Sequence, residues 1–168
     1  MRPFLDKAMP ESWKAAELSS VAVRDEAARH GLLPQEAELI KLRASQLNGC
    51  AFCLDLHARQ SRQSGIPQQK LDLLSAWRES ALYSEREAAV LAIAEAVTRM
   101  PLSADAESQL EAARTTLGDA TFVAAEWVAV TINAFNRISI LSEHPVRPRD
   151  AEGKVVRGAA STGVRIDG

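Results

Sequence analysis

Cysteine is nearly absent from this 168-residue chain: there are two, Cys50 and Cys53, and both fall within one ten-residue stretch. So small a supply argues against a disulfide-stapled scaffold, and in a reducing compartment a lone pair points to redox, catalytic or metal chemistry. An excess of one charge is missing too. Twenty Lys and Arg against 22 Asp and Glu leave a net charge of -2, which gives no electrostatic footprint for nucleic acid or an anionic membrane. Long apolar runs are also lacking. In the most apolar segment, "DATFVAAEWVAVTINAFNRISIL", the longest charge-free run covers residues 127–136, well short of the roughly 20 residues a membrane span needs. The opening "MRPFLDKAMPESWK" puts Asp6, Lys7, Glu11 and Lys14 where a signal peptide would carry its apolar stretch, so a cytoplasmic protein is expected.

Strand alternation is lacking as well, whereas helix start and stop signals recur, and the fold class expected is all-α. Glu11 to His30 reads as a helix stopped by Gly31. Pro34 to Leu47 reads as a second, opened by proline and Glu36 and closed at Asn48-Gly49. A third carries the cysteines from Cys50 to about Ser64, and a short one follows from Gln68 to about Trp77. Ser84 and Glu87 have capping-box spacing for a helix to about Met100, Ser103 to Leu117 forms the next, and Asp119 is expected to cap the last.

That last helix is apolar on nearly every side and must be buried on every side. In a chain this small, such a helix predicts a central position with part of its surface covered by a second subunit, hence a homo-oligomer. Trp77, Trp127 and Phe135 are expected in the core or at that interface. Asn133, Asn136 and Arg137 interrupt the apolar helix and need partners, in a structural network or lining a substrate pocket, with Glu87 and Glu95 as candidate partners of Arg137. One helical domain over residues 1–144 is expected, then an irregular tail over 145–168 with four of the eight glycines, loose or docked on a neighbouring subunit.

In "NGCAFCLDLH" the cysteines are three residues apart and His57 follows four after Cys53. Helical steps of three and four return to nearly the same side, about 60° and 40° off, so Cys50, Cys53 and His57 share a face. The cysteines fall in the first turn, where unpaired N–H groups and the positive dipole end favour a thiolate, and one turn brings the sulfurs within reach of a disulfide. Three readings are open. Free cysteines are often small buried hydrophobes. C-x2-C is also a zinc spacing, but a closed site needs four ligands, and beyond His57 only His30 and His144 remain, with no further cysteine. A redox dithiol uses the helix start, the pair and the histidine together.

The longer stretch "ELIKLRASQLNGCAFCLDLHARQSRQSG" resembles the core motif of the alkylhydroperoxidase AhpD-like branch of the carboxymuconolactone decarboxylase superfamily. That motif has a glutamate twelve residues before a C-x-x-C and a histidine four after it, matched here by Glu38, Cys50, Cys53 and His57. "LLSAWRESALYSEREAAVLAIAEAVT" and "INAFNR" resemble later helices of the same group, so the likeness runs over roughly residues 10–141. The resemblance implies an all-α multi-helix bundle that assembles as a homo-oligomer. It implies reduction of hydroperoxides by the cysteine pair, with an external thiol or dithiol as reductant and without metal, haem or flavin. By the same resemblance, Cys53 attacks the peroxide and becomes a sulfenic acid, Cys50 closes the disulfide, His57 takes the Cys53 proton and Glu38 orients the imidazole.

One position departs. Some members carry a second histidine immediately before the second cysteine, where this chain has Phe52. An apolar ring cannot relay protons, so a redox sensor or thiol-relay protein without turnover stands as an alternative. A lactone-type decarboxylase is a weaker one, because such members generally do not depend on a C-x-x-C pair.

Overall fold

Helix caps written into the sequence set most of the element ends. The computed structural model describes residues 2–150 and 152–156. The helices are α1 (Leu5–Ala8), α2 (Pro10–Arg29), α3 (Pro34–Asn48), α4 (Ala51–Gln63), α5 (Gln68–Asp72), α6 (Glu85–Thr98), α7 (Ala104–Leu117) and α8 (Asp119–Leu141), with a 3₁₀ turn at Leu74–Glu79 between α5 and α6. Among the described residues no strand forms, and the fold is all-α. At the start of α3 the Glu36 carboxylate accepts from the Leu33 N–H at 2.9 Å. At the start of α6, Ser84 and Glu87 make the reciprocal bonds of a capping box, at 2.8 and 3.2 Å.

Three details differ from the sequence expectation. α1 precedes the first expected helix. The helix expected to reach Trp77 ends at Asp72, where Leu73 (φ -92°, ψ 3°) leads the chain into the 3₁₀ turn, itself kinked at Ala76 (φ -116°, ψ 28°). Asp119 does not cap α8; Gly118 holds that position, and the Asp119 carboxylate pairs with Arg114 at 2.7 Å instead.

α6 packs against α3, α7 and α8, and α3 also touches α8 directly. α6 can hold all three because it is nearly featureless: Ala89, Ala92, Ala94 and Ala96 let its neighbours approach closely, while Val90, Leu91 and Ile93 are fully buried between them. Two apolar clusters result. Ile40, Val90, Ile93, Leu117, Ala125 and Val128 tie α3 to α6, α7 and α8. Leu39, Leu42, Leu71, Leu74, Trp77 and Leu91 close the other side of α3 against α5 and the 3₁₀ turn. Trp77 is therefore a core residue, as expected.

α8 is not buried all round within one chain. It packs on α2, α3, α6 and α7, yet Val123, Trp127 and Val130 remain about half exposed along one stripe. Trp127 lies outside this chain's core, and Phe135 sits edge-on to Trp13 with ring centroids 5.5 Å apart. The expected pairing of Glu87 and Glu95 with Arg137 does not form: Glu87 takes Lys70 at 2.6 Å. Glu95 takes Arg43 and Arg78, and Arg137 donates to the Asn133 backbone and side-chain oxygens. No helix among the described residues is long and apolar enough to cross a membrane. In the tail, Arg149 and Val155 pair in an isolated bridge, the Val156 N–H bonds to Pro148 O at 2.9 Å, and Arg149 approaches Asp55 of α4 at 3.5 Å. Residues 157–168 lie outside the described residues.

Candidate active site

Between α3 and α4 the chain turns a corner in two residues. Gly49 is left-handed (φ 65°, ψ 30°), where a side chain would be strained, and its N–H bonds back to Gln46 O while that of Cys50 bonds to Ser45 O. The chain leaves this turn in an extended conformation at Cys50, whose sulfur accepts from the Cys53 N–H at 3.4 Å. Cys50 thus caps α4 in the way a serine or aspartate oxygen would. The two sulfurs lie 2.7 Å apart with both cysteines free, and both are buried.

His57, one turn beyond Cys53, is also buried, and its Nδ1 lies 3.0 Å from Glu38 Oε2 on α3. The carboxylate fixes the ring: with Nδ1–H donated to Glu38, Nε2 carries the lone pair that can accept a proton. Lys41 holds the other Glu38 oxygen at 2.8 Å. Burial pushes the Glu38 carboxyl up, but the His57 hydrogen bond and the Lys41 charge together outweigh it and hold the group below the usual carboxylate range. Glu38 is therefore an anion at neutral pH. Glu38, Cys50, Cys53 and His57, singled out in the sequence, all meet at this corner.

The helix-dipole expectation fails for Cys50. Burial pushes its thiol up to about 12, and the hydrogen bond it gives to Cys53 adds to this; the Cys53 N–H and the Ser139 hydroxyl offset it only in part. Desolvation of a thiolate beats the field of one helix end. Among the described residues no group of three or more His, Cys, Asp and Glu side chains is gathered as a metal ion would require.

The carboxymuconolactone decarboxylase family sequence model matches residues 19–96, the span that holds all four of these side chains. Over 103 residues, 61% of this chain and 70% of the relative, the sequence is 38% identical to YdfG of Bacillus subtilis (strain 168), an uncharacterized protein. The chain belongs to the carboxymuconolactone decarboxylase family. Its fold is AhpD-like. The crystal structure of an Agrobacterium tumefaciens protein of unknown function, described as a candidate antioxidant defence protein AhpD, superposes on it with a TM-score of 0.73 at 38% identity, over 86% of this chain and 98% of that one.

In this member of the family, the amides flagged on the apolar helix, Asn133 and Asn136, anchor the corner through a residue the sequence did not single out, Asn48. Asn48 Nδ2 donates to Asn133 Oδ1 and Asn136 Oδ1 on α8, both at 2.8 Å. Asn133 reaches Thr98 of α6 at 2.9 Å and Asn136 reaches Ser45 at 3.1 Å. The polar interruptions of the apolar helix are thus a structural network, and what it holds in place is the residue before Gly49. Their signal was amides in an apolar run; their partner Asn48 had none beyond its place in a turn. Ser139, a buried hydroxyl on α8 that lowers the Cys50 thiol slightly, was equally silent.

The raised Cys50 thiol has a measurable consequence. Titrated by ultraviolet thiolate absorbance, the reduced family member should retain one unionised thiol per chain up to about pH 10, above the ~8.5 of a free cysteine. The Cys50→Ser variant should lose that late-ionising group. Two thiolates per chain below about pH 9 would show that burial does not govern Cys50.

Proposed function

We propose that this chain is a thiol peroxidase that reduces hydroperoxides through a Cys50/Cys53 dithiol–disulfide cycle. The observation that carries the reading is the convergence at one corner of three buried groups and a partly buried carboxylate: sulfurs 2.7 Å apart, with His57 one turn away and pinned by Glu38 at 3.0 Å. The buried, raised Cys50 thiol and the place of Cys53 one turn before His57 support Cys53 as the attacking sulfur. His57 Nε2 draws the Cys53 proton. The thiolate attacks the terminal oxygen of ROOH, the O–O bond breaks, and the departing alkoxide takes up the proton from His57 to leave as ROH. Cys53 is now a sulfenic acid. The Cys50 sulfur displaces its oxygen as water, forming the disulfide. An external thiol or dithiol reopens the bond by exchange and is itself oxidised. The exposed Val123–Trp127–Val130 stripe supports self-association as a homo-oligomer.

The test is intact mass with turnover. One equivalent of peroxide should remove two hydrogens per chain, with peptide mapping joining Cys50 to Cys53, and a supplied dithiol should sustain repeated peroxide consumption. Disulfide formation without turnover across several dithiols would favour a redox sensor on the same scaffold. No disulfide at all would overturn both.

A further inference from the structure

The Glu38 carboxylate is shared between two partners, one to each oxygen. His57 Nδ1 lies 3.0 Å from Oε2, and the Lys41 ammonium donates to Oε1 at 2.8 Å. Glu38 and Lys41 are three residues apart on α3, with side chains 12% and 25% exposed. Ser45, fully buried one turn on, donates its hydroxyl to the Lys41 carbonyl at 2.7 Å and holds the backbone there. Charged groups on the surrounding elements turn elsewhere. Arg86 of α6 takes Glu36, and Glu87 takes Lys70 of α5. Glu95 takes Arg43 and, from the 3₁₀ turn, Arg78. Asp55 of α4 takes Arg59, and Arg137 of α8 donates to the Asn133 oxygens. Among the described residues, Lys41 is thus the cation that answers the Glu38 charge, with His57 and the two thiols as the titratable groups beyond it.

On an open helix face an ion pair at this spacing contributes little, because water screens both charges. Here the carboxylate is largely out of water. Burial is the strongest influence on it and favours the neutral acid; the His57 hydrogen bond, with the charge and hydrogen bond of Lys41, reverses that. The outcome decides which ring nitrogen of His57 is free. As an anion, Glu38 accepts from Nδ1–H and Nε2 keeps its lone pair. As a neutral acid, it donates its own O–H to Nδ1, the ring proton moves to Nε2, and the imidazole has no lone pair left for a thiol proton.

We propose that Lys41 is a positioning residue of the thiol site: by holding Glu38 Oε1 it keeps the carboxylate an anion turned toward His57 Nδ1, so that the Nε2 lone pair stays available to Cys53. The proposal rests on the peroxidase reading for the use made of that base. Lys41 touches no reacting atom. It works through Glu38, and Glu38 works through the imidazole. The effect is therefore largest in acid, where a buried carboxyl deprived of its counter-charge takes up a proton before an ordinary one does.

Carbon-13 resonances of the glutamate carboxyls in the reduced protein, with the Glu38 signal identified by its loss in Glu38→Gln, test this directly. In the wild type Glu38 should titrate below the usual value of about 4.3, and in Lys41→Met above it. Lys41→Arg, which restores the charge, should bring it back down. Alkylation of Cys53 by iodoacetamide, followed by peptide mass, reads the consequence. The Lys41→Met rate relative to wild type should fall about tenfold between about pH 8 and about pH 5, while that of Lys41→Arg stays flat. Lys41→Gln, which keeps a donor and loses the charge, should follow Lys41→Met in both readouts and replaces it should that variant fail to fold. A Glu38 titration unmoved by the loss of the Lys41 charge, with a rate ratio that does not change with pH, overturns the proposal. A protein inert to peroxides in which Lys41→Met still raises the Glu38 titration and tilts the alkylation profile would sink the peroxidase reading and leave the role of Lys41 standing. Sustained peroxide turnover with an unmoved Glu38 would do the reverse.

Discussion

Peroxide consumption with excess dithiol is expected to fall by roughly 10³-fold or more when Cys53 is replaced by serine, because a neutral hydroxyl cannot stand in for a thiolate at an O–O bond. The companion variant should fail differently. Cys50→Ser retains the attacking sulfur, so one equivalent of peroxide should be consumed quickly, the product being a sulfenic acid that dimedone traps and not a disulfide. The asymmetry follows from position. Cys50 caps α4 and is pushed up to about 12 by burial, whereas Cys53 stands one turn from an imidazole that Glu38 orients. Stopped-flow oxidation of the two single variants, with mass spectrometry of the products, gives both numbers. If Cys53→Ser kept the full rate, the two sulfurs would have exchanged roles. If the two variants lost the same first step, His57 would not distinguish between them.

The four residues of the corner were legible because their spacing is a local, helical quantity: three and four residues bring Cys50, Cys53 and His57 to one side, and only Glu38 required the family likeness. Helix ends were legible for the same reason, since Glu36, Gly49 and the Ser84–Glu87 pair act within a turn of themselves. What stayed hidden is what the tertiary fold brings together. Asn48 bonds across 85 and 88 residues to Asn133 and Asn136, and Phe4 meets Phe52 only through His144. The thiolate expectation for Cys50 failed on burial, which depends on how α8 covers the corner and which no helix start can announce. The surroundings of α8 were half legible: all-round apolarity implied cover on every side, but one chain leaves Val123, Trp127 and Val130 exposed.

Glu95→Ala should cost about 3–5 kcal/mol of folding stability, the largest effect expected away from the cysteines, because it leaves a buried cation without its counter-charge. Glu95 and Arg43 are 7% and 8% exposed. Arg43 on α3 reaches Glu95 Oε1 through Nε at 2.8 Å and Nη2 at 2.6 Å, and the Trp77 indole N–H bonds the same oxygen at 3.0 Å. Arg78, stacked on the Trp77 ring at 4.1 Å, takes the other oxygen. One carboxylate therefore joins α3, α6 and the 3₁₀ turn, and its removal orphans a guanidinium and an indole N–H at once. In a domain of this size the loss should lower the melting temperature by on the order of 10 °C. Burial raises the Glu95 carboxyl, but the Trp77 and Arg43 hydrogen bonds and the Arg43 and Arg78 charges outweigh it and leave it below the usual range. A carboxyl depressed in the folded state stabilises fully above its unfolded value of about 4.3, and that contribution is lost as pH falls through the folded value. The gap between wild type and Glu95→Ala should thus be full at neutral pH and narrow in acid, as urea denaturation at pH 7 and near pH 3.5 would read it. Glu95→Gln keeps an acceptor for Trp77 while losing the charge, and should fall between the two. A neutral-pH difference under about 1 kcal/mol would mean that Arg43 finds water or another anion once Glu95 is gone. In that case α3, which carries both Glu38 and Asn48, would be held against α6 by the two apolar clusters and the Glu36–Arg86 ion pair without help from Glu95.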